Sequence, residues 1–251
     1  MTSFTLPQIL KPKYTYDLIR LGSNHDGGYL VEKSSVIKCE HLFSFGIATN
    51  WIFEKDFIKY NNVKLLAFDG SINSDFWRNQ KKIAISKAKK LSFNKLYEYF
   101  INKIQFEKFF NEKNFVPKFV GTTLPNSMSL DSIIELSNKS KNFLKIDIEG
   151  SEYEILDSIL YNQKKIIGLV IEFHDCNSNL KKIINFIKSL ELDLVHIHAN
   201  NYIQTKYKVP DILEISFSRN PIVLEDFKSL PHKFDRPNKQ TLKELVLNFE
   251  E

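Results

Sequence analysis

Cysteine is scarce in this chain, with only Cys39 and Cys176 among 251 residues. Two cysteines cannot build a disulfide framework and their spacing is not that of a metal site, so we expect both to be free thiols. Long apolar runs are also missing. The longest, Ile166–Ile171, is far shorter than the roughly 20 residues of a membrane-spanning helix, and the N-terminus lacks an apolar signal core. The sequence therefore predicts a cytoplasmic protein without a membrane partner.

Low-complexity segments and internal repeats are missing too, and a composition of 43% hydrophobic and 26% charged residues is that of a globular protein. The length suits one large domain.

The formal net charge is +5, and lysines cluster at Lys81, Lys82, Lys87, Lys89 and Lys90. We interpret this cluster as a solvated helix face, with an anionic partner such as a nucleotide-linked substrate as the alternative. No nucleic-acid partner is predicted, since no recognition motif accompanies the lysines. A homodimer is left open.

The segment from Phe143 to Leu156 places two carboxylates where a buried strand ends. An apolar run leads to Asp147 and Glu149, and Gly150 then breaks the strand. Ser151 and Glu154 have the spacing of a capping box, and an apolar helical stripe follows them. We therefore expect a helix to begin at Ser151, with Glu149, Glu152 and Glu154 as charges at its N-terminal end. Asp147 would lie at the carboxyl edge of the sheet, where open α/β sheets bind ligands.

Strand patterns alternate with helical patterns along the chain, which indicates an α/β protein. The seven predicted strands are His41–Gly46, Val63–Asp69, Phe115–Val120, Phe143–Asp147, Ile166–Phe173, Asp193–His198 and Asp211–Phe217. The predicted helices are Trp51–Tyr60, Phe93–Phe110, Leu130–Leu136 and Leu180–Leu190. The connection Ala199–Pro210 has no helical stripe, so the last two strands are predicted to form an antiparallel hairpin on an otherwise parallel sheet. We divide the chain into an N-terminal cap (1–38), a core (39–219) with a helical insertion near 75–114, and a C-terminal extension (220–251).

These features resemble the FkbM family of S-adenosylmethionine-dependent methyltransferases. The segment Lys145-Ile-Asp-Ile-Glu-Gly-Ser-Glu152 carries the resemblance most strongly. Supporting segments are Arg20-Leu-Gly, Asp26-Gly-Gly-Tyr29, Ser44-Phe-Gly-Ile47, Val170-Ile-Glu-Phe-His-Asp175 and His196-Ile-His-Ala-Asn-Asn201. The resemblance implies a class I, Rossmann-like methyltransferase fold. It also implies methyl transfer, commonly to a hydroxyl, including the hydroxyls of sugars and natural products.

Candidate cofactor residues follow the first two core strands. Gly46 ends the first, where a missing Cβ would let a cofactor approach the backbone, and Asp69 ends the second, where a carboxylate can accept both ribose hydroxyls. These two positions also suit a nicotinamide dinucleotide, and an oxidoreductase is the alternative function. However, the first loop lacks the remaining glycines of G-x-G-x-x-G, which favours a cofactor without phosphates. The full predicted set is Gly46, Thr49, Asn50, Asp69, Gly70 and Asp26.

Candidate reacting groups follow the fourth and fifth strands. An alcohol is a poor nucleophile until a base or a metal takes its proton. Either Asp147, Glu172 and His174 hold Mg²⁺ or a similar ion, or His174 is the base beside Asp147. We favour His174 as the base.

The acceptor would be bound by His198, Asn200 and Asn201, and His196 is interpreted as structural. This polar edge predicts a polyhydroxylated acceptor. Together with what the resemblance implies, we expect a sugar or a nucleotide-linked sugar of surface polysaccharide, with a non-catalytic binding module of the same fold as an alternative.

Overall fold

A seven-stranded mixed sheet forms the centre of the protein. The structure is a computed structural model that describes residues 3–90, 94–202 and 208–250. Its strands are β1 (His41–Phe45), β2 (Lys64–Phe68), β3 (Phe115–Val116), β4 (Asn142–Ile146), β5 (Ile166–Phe173), β6 (Asp193–Ala199) and β7 (Leu213–Ser218). Their order is β6-β7-β5-β4-β1-β2-β3. Only β7 pairs antiparallel to its neighbours, so the predicted α/β class and reversed last strand agree with the structure.

The composition of the central strands explains why they lie inside. All eight residues of β5 are buried, and its sequence is a nearly continuous run of Ile, Leu and Val, as expected for a strand covered on both faces. In contrast, β3 contains two residues rather than the predicted six. Pro117 follows it directly, and proline cannot donate a hydrogen bond to a neighbouring strand. Phe119–Val120 instead pairs with Ser127–Met128 as a separate two-stranded sheet.

Seven α-helices surround the sheet in the described residues. They are α1 (Lys33–Lys38), α2 (Ile52–Tyr60), α3 (Ser74–Lys90), α4 (Asn94–Phe109), α5 (Leu130–Glu135), α6 (Leu156–Asn162) and α7 (Cys176–Ser189), and 3-10 turns span Gln8–Leu10, Ser151–Glu154 and Gln163–Lys165. The insertion therefore contains two helices, α3 and α4, where one was predicted. Within the described ranges, no helix is both long and apolar enough to cross a lipid bilayer.

The predicted capping box is wrong. Ser151–Glu154 is a 3-10 turn, its flanking Gly150 makes no side-chain cap, and α6 begins only at Leu156. Glu154 instead accepts hydrogen bonds from the backbone N–H groups of Thr122 and Thr123, at 3.0 and 3.2 Å. Its carboxylate therefore fixes the loop after β3 rather than the start of a helix.

The N-terminal cap packs on one face of the sheet through a β-hairpin. Leu18–Gly22 pairs antiparallel with Gly28–Glu32. Gly27, in the connecting turn, has φ +75°, a conformation that glycine adopts without a Cβ penalty. Tyr29 of the hairpin is fully buried, and its ring lies 5.8 Å from that of Phe53 on α2. This packing brings the Tyr29 hydroxyl to the carboxyl edge of the sheet.

The C-terminal extension returns to the N-terminal segment. Val223–Asp226 pairs with Tyr14–Tyr16, and Val246–Phe249 pairs in parallel with Ser3–Leu6. Between these strands, Asp235 bonds to the His196 ring at 2.9 Å, which agrees with a structural histidine. The extension is thus bonded to the core beside β6.

Candidate functional site

One cavity of about 470 Å³ opens at the carboxyl ends of β1, β2 and β4. Its volume lies in the usual range of small-molecule sites. All six predicted cofactor residues line it, namely Asp26, Gly46, Thr49, Asn50, Asp69 and Gly70, and so does Asp147. The adjacency of β4, β1 and β2 explains this, because parallel neighbours end at the same edge. The lining of this cavity does not include the other predicted site residues, namely Glu172, His174, His198, Asn200 and Asn201.

Gly46 is required at its position for a different reason from the predicted one. Its φ is +76°, and a Cβ built on it would lie 1.6 Å from the carbonyl oxygen of Asp147. The neighbouring strand, rather than a ligand, therefore forbids a side chain here. This close approach holds the end of β1 against the end of β4. The loop after β1, which contains Thr49, therefore lies next to Asp147, the residue that follows β4.

Asp69 organises the loop beside it. One carboxylate oxygen accepts the backbone N–H groups of Ile47 and Ala48 at 2.9 and 2.8 Å. The other accepts the backbone N–H and the hydroxyl of Ser71, at 2.8 and 2.5 Å. Four donors fill the acceptor capacity of a carboxylate, so a ribose would have to exchange with some of them.

An apolar wall beside Asp69 was missed by the sequence analysis. Phe68, Phe119, Val120 and Leu124 line the cavity next to Gly70. A Cβ on Gly70 would come within 2.4 Å of the Phe119 ring, so glycine is what allows this ring to pack there. The chain after Val116 was predicted to continue as a buried strand, which concealed the wall. The combination of Asp69 with a flat apolar wall suits a nucleoside, and the chain contains no glycine-rich phosphate cradle.

Lys145 is the second group that the sequence analysis missed. Its ammonium lies 2.5 Å from the carbonyl oxygen of Gly46 and 3.4 Å from Asp147 Oδ2. Burial alone would lower the pKa of Lys145, but the carboxylates of Asp147 and Glu54 outweigh burial and raise it. A single lysine within the apolar run of β4 is a signal that could have identified it, because lysine is almost never fully buried without a partner.

Tyr29 and Glu172 complete the surroundings of Asp147. The Tyr29 hydroxyl lies 3.0 Å from Asp147 Oδ2 and 2.7 Å from Glu172 Oε2. Burial, followed by the charge of Asp147, raises the pKa of Glu172 well above its usual value. The other oxygen of Glu172 accepts the Asn200 amide at 3.0 Å. Glu172 is therefore engaged inside the protein, and the predicted metal set of Asp147, Glu172 and His174 is not assembled.

His174 is held by Glu152, a residue predicted to be a charge at the N-terminal end of a helix. Glu152 is fully buried, and its carboxylate lies 3.1 Å from His174 Nδ1 while accepting the backbone N–H groups of Ile148 and Gly150. Burial alone would lower the pKa of His174, but the charge and hydrogen bond of Glu152 outweigh it and raise the pKa to about 9. At neutral pH His174 is therefore an imidazolium, which cannot accept a proton.

Three side chains nevertheless come together at this edge. Ligand atoms of Asp147, Glu149 and His174 lie within 4.8 Å of one another, and Glu149, with an 87% exposed side chain, takes the place predicted for Glu172. The Glu149 carboxylate lies 3.6 Å from His174 Nε2. The same arrangement forms an ion pair when His174 is protonated.

The predicted acceptor-binding residues are engaged by the protein itself. Both ring nitrogens of His198 contact carboxylates, Glu214 at 3.0 Å and Glu244 at 2.5 Å. The Asn201 amide contacts three backbone carbonyls of residues 239–243, and Asn200 bonds to Glu172 and to the backbone of Tyr202. In this structure these three side chains therefore bond to the C-terminal extension and to Glu172, and their role in acceptor binding stays a prediction.

The raised pKa of His174 predicts a pH-dependent contribution to stability. A histidine with a folded pKa near 9 and an ordinary unfolded pKa of about 6.5 stabilises the fold fully below pH 6.5, and this contribution disappears as pH rises through 9. Urea unfolding of the wild type and His174→Gln should differ by on the order of 1–2 kcal/mol more at pH 6 than at pH 9.5, after allowing for partial exposure. An equal difference at both pH values would contradict the pair with Glu152.

Comparison with known proteins identifies the family. A family model described as "Methyltransferase FkbM domain" matches residues 6–194, three quarters of the chain. The chain belongs to the FkbM methyltransferase family. The resemblance seen in the sequence is thereby confirmed, and the protein is an S-adenosylmethionine-dependent methyltransferase. Family membership favours methyl transfer over the nicotinamide oxidoreductase. The matched region includes the cavity walls formed by β1, β2 and β4 but ends within β6.

Two solved structures are similar to this FkbM methyltransferase at low sequence identity. M. capricolum TrmK, in complex with the natural cofactor product S-adenosyl-homocysteine, is 14% identical with a TM-score of 0.34, over 76% of this chain and 68% of that one. Precorrin-6y C5,15-methyltransferase from Geobacter metallireducens GS-15 is 13% identical with a TM-score of 0.34, over 74% of this chain and 86% of that one. No curated protein matches the sequence.

Proposed function

We propose that this FkbM methyltransferase transfers a methyl group to a hydroxyl of a polyhydroxylated acceptor, a sugar or a nucleotide-linked sugar used for surface polysaccharide. The observation that carries the proposal is the position of Asp147. Its carboxylate lies in the wall of the cavity that also contains Asp69, and Tyr29 and Lys145 both contact its Oδ2. A carboxylate held next to a nucleoside-binding surface is suited to accept the proton of a hydroxyl.

The residues of the cavity fit S-adenosylmethionine. Asp69 would exchange the Ser71 hydroxyl for ribose hydroxyls, and the wall of Phe119, Val120 and Leu124 would cover the adenine. Asp26, Thr49 and Asn50 are polar residues of the cavity lining that would bind the amino-acid part of the cofactor. When bound, S-adenosylmethionine supplies an electrophilic methyl group on a sulfonium.

Asp147 is the base in this mechanism. With S-adenosylmethionine bound, Asp147 would take the proton of the acceptor hydroxyl, while the methyl–sulfur bond of the cofactor would break as the oxygen–methyl bond forms and leave its electron pair on sulfur. Lys145 and the Tyr29 hydroxyl contact one oxygen of this carboxylate, so they fix its orientation and leave the other oxygen available to the acceptor. His174 does not line the cavity and is cationic at neutral pH, so it is assigned to the support of Glu149 and Glu152 rather than to proton abstraction.

The base mechanism predicts activity without a divalent cation. A cation at Asp147, Glu149 and His174 would first have to displace the proton of His174, which its raised pKa makes unfavourable. We expect the initial rate in EDTA-treated, metal-free buffer to stay within about two-fold of the untreated rate. If activity falls more than ten-fold and Mg²⁺ or Mn²⁺ restores it, metal-assisted deprotonation by these three residues replaces the base mechanism.

The acceptor class is tested by methyl transfer to matched panels. Purified protein is incubated with methyl-labelled S-adenosylmethionine and with sugars, nucleotide-linked sugars, catechols and primary amines, and the methylated position is determined by NMR. We expect label in an O-methyl group of a sugar-containing acceptor. Calorimetry with S-adenosylhomocysteine provides the control for cofactor binding. Binding accompanied by transfer only to catechols or amines would refute the acceptor proposal while leaving the cofactor assignment intact.

A further inference from the structure

Helix α4 is apolar on two opposite faces. One face carries Phe106, and Phe110 follows directly after the helix. They are 7% and 3% exposed and pack against Trp51 with ring centroids 5.5 and 6.1 Å away. At about 100° per residue, Tyr97, Phe100 and Ile104 fall on the opposite side of the helix, and we call these three residues the Tyr97 face. They are 69%, 46% and 45% exposed. A surface helix of a globular domain normally has one apolar face, toward the core, and polar residues elsewhere.

The insertion that carries this face is also the most basic part of the chain. Residues 74–109 contain nine Lys or Arg and three Asp or Glu, a net charge of +6, whereas the whole chain has +5. The rest of the chain is therefore close to neutral. Within the insertion Asp75 pairs with Arg78 at 2.6 Å, and Glu107 pairs with Lys103 at 3.1 Å. Lys81 and Lys82, the members of the lysine cluster whose side chains the structure describes, are exposed on α3, which packs against the helix that carries the Tyr97 face.

We propose that the Tyr97 face, together with the exposed Lys81 and Lys82 of α3, docks on the surface of an anionic membrane. Helices that lie in a membrane interface combine aromatic and aliphatic side chains with lysines, because the apolar residues enter the headgroup boundary while the lysines contact anionic lipids. This inference goes beyond the proposed function and revises the expectation of no membrane partner. A second copy of the chain fits the face poorly, because two surfaces of charge +6 would repel each other.

The position of the insertion links docking to the active site. Phe106 contacts both Trp51 and Trp77, with centroids 5.5 and 5.3 Å apart, so α3, α4 and the start of α2 pack as one aromatic unit. Thr49, which lines the main cavity, also lines a second cavity of about 180 Å³ together with Trp77. A membrane held by the Tyr97 face would therefore contact the insertion on the side of α4 that faces away from Trp51, while the other side of α4 packs beside the loop that borders the cofactor cavity.

Vesicle co-sedimentation of the full chain tests the proposal. We expect binding to vesicles with about one third phosphatidylglycerol, none to pure phosphatidylcholine, and release at about 1 M salt, where the Debye length is about 3 Å. The triple variant Tyr97→Ser, Phe100→Ser, Ile104→Ser should bind at least ten-fold more weakly. Its matched control changes exposed apolar residues elsewhere, Ile37→Ser, Tyr161→Ser and Leu224→Ser, and should bind like the wild type.

A second pair of variants tests the charges separately. Lys81→Glu with Lys82→Glu should weaken binding, whereas Lys164→Glu with Lys165→Glu, an exposed pair outside the insertion, should not. Circular dichroism and S-adenosylhomocysteine binding show whether each variant is folded. Failure of the wild type to bind anionic vesicles would overturn the proposal, as would equal binding by the Tyr97-face variant and its control. Concentration-dependent self-association that the triple variant abolishes would also overturn it, and would assign the face to a second copy.

Discussion

Replacing Asp147 by Asn should reduce the rate of methyl transfer by about 10²- to 10⁴-fold, the range that a positioned base contributes. The substitution keeps the size of the side chain and its contacts to Tyr29 and Lys145, but an amide cannot take the proton of the acceptor hydroxyl. Because Asp147 is not placed at the ribose end of the cavity, the affinity for S-adenosylhomocysteine should change by less than about five-fold. Single-turnover kinetics with the wild type and the variant measure the first effect, and calorimetry measures the second.

Asp157→Asn is the matched control for this prediction. Asp157 is an exposed aspartate in the first turn of α6, ten residues further along the chain, so its replacement changes the net charge by the same amount without touching the cavity. It should retain wild-type rate and cofactor affinity. The base assignment would be wrong if Asp147→Asn kept more than one tenth of the wild-type rate at saturating substrates. A parallel loss of cofactor affinity would instead indicate that Asp147 binds S-adenosylmethionine.

The gathering of Gly46, Asp69 and Asp147 at one cavity was predictable because it depends on local patterns and one general rule. Apolar runs located the strands, and parallel strands that are neighbours end at the same edge. Gly46, Asp69 and Asp147 each follow such a run, so the order β4-β1-β2 was sufficient to bring them to one cavity. The reason for Gly46 was not predictable, since it depends on a carbonyl oxygen that lies 101 positions further along the sequence.

The environment of His174 could not be read from sequence, because two short patterns competed for the same residues. Ser151 and Glu154 satisfy the spacing of a capping box, which assigns Glu152 to a solvated first turn. In the structure the backbone turns differently at Gly150, with φ +101°, and Glu152 points inward to His174. A buried ion pair between residues 22 positions apart depends on tertiary packing, which the local spacing does not contain.

The internal partners of the predicted acceptor-binding residues could not be read from the sequence, because the C-terminal extension has weak local signals. His198 and Asn201 end β6 at the edge where the rule for α/β sheets places ligands, and nothing nearby in sequence indicates that they are occupied. The extension brings Glu244 to His198, and the carbonyl groups of residues 239–243 to Asn201. The family match ends at residue 194, before both of them. The acceptor is therefore expected to enter beside Asp147 and Glu149 rather than over β6.

Gly46→Ala should destabilise the protein by at least about 4 kcal/mol, an unusually large effect for adding one methyl group. The alanine Cβ would lie 1.6 Å from the Asp147 carbonyl oxygen, so β1 and β4 would have to separate at their carboxyl ends. The residue would also be held at φ +76°, where a Cβ alone costs about 1–2 kcal/mol. Urea unfolding followed by circular dichroism measures the change in the free energy of unfolding.

Gly150→Ala separates these two contributions. Gly150 also has a positive φ, +101°, but a Cβ built on it meets no atom within 4 Å. This variant therefore incurs backbone strain without a collision and should lose only about 1–2 kcal/mol. Gly46 lies against Asp147 across the sheet, and Gly150 follows Asp147 in the chain. A difference of 2 kcal/mol or more between the two variants would assign the excess loss of stability to the contact between β1 and β4. Equal losses would mean that the two strands separate at little cost, and the position of Asp147 against the cavity would then be set by Tyr29 and Lys145 rather than by the backbone of the sheet.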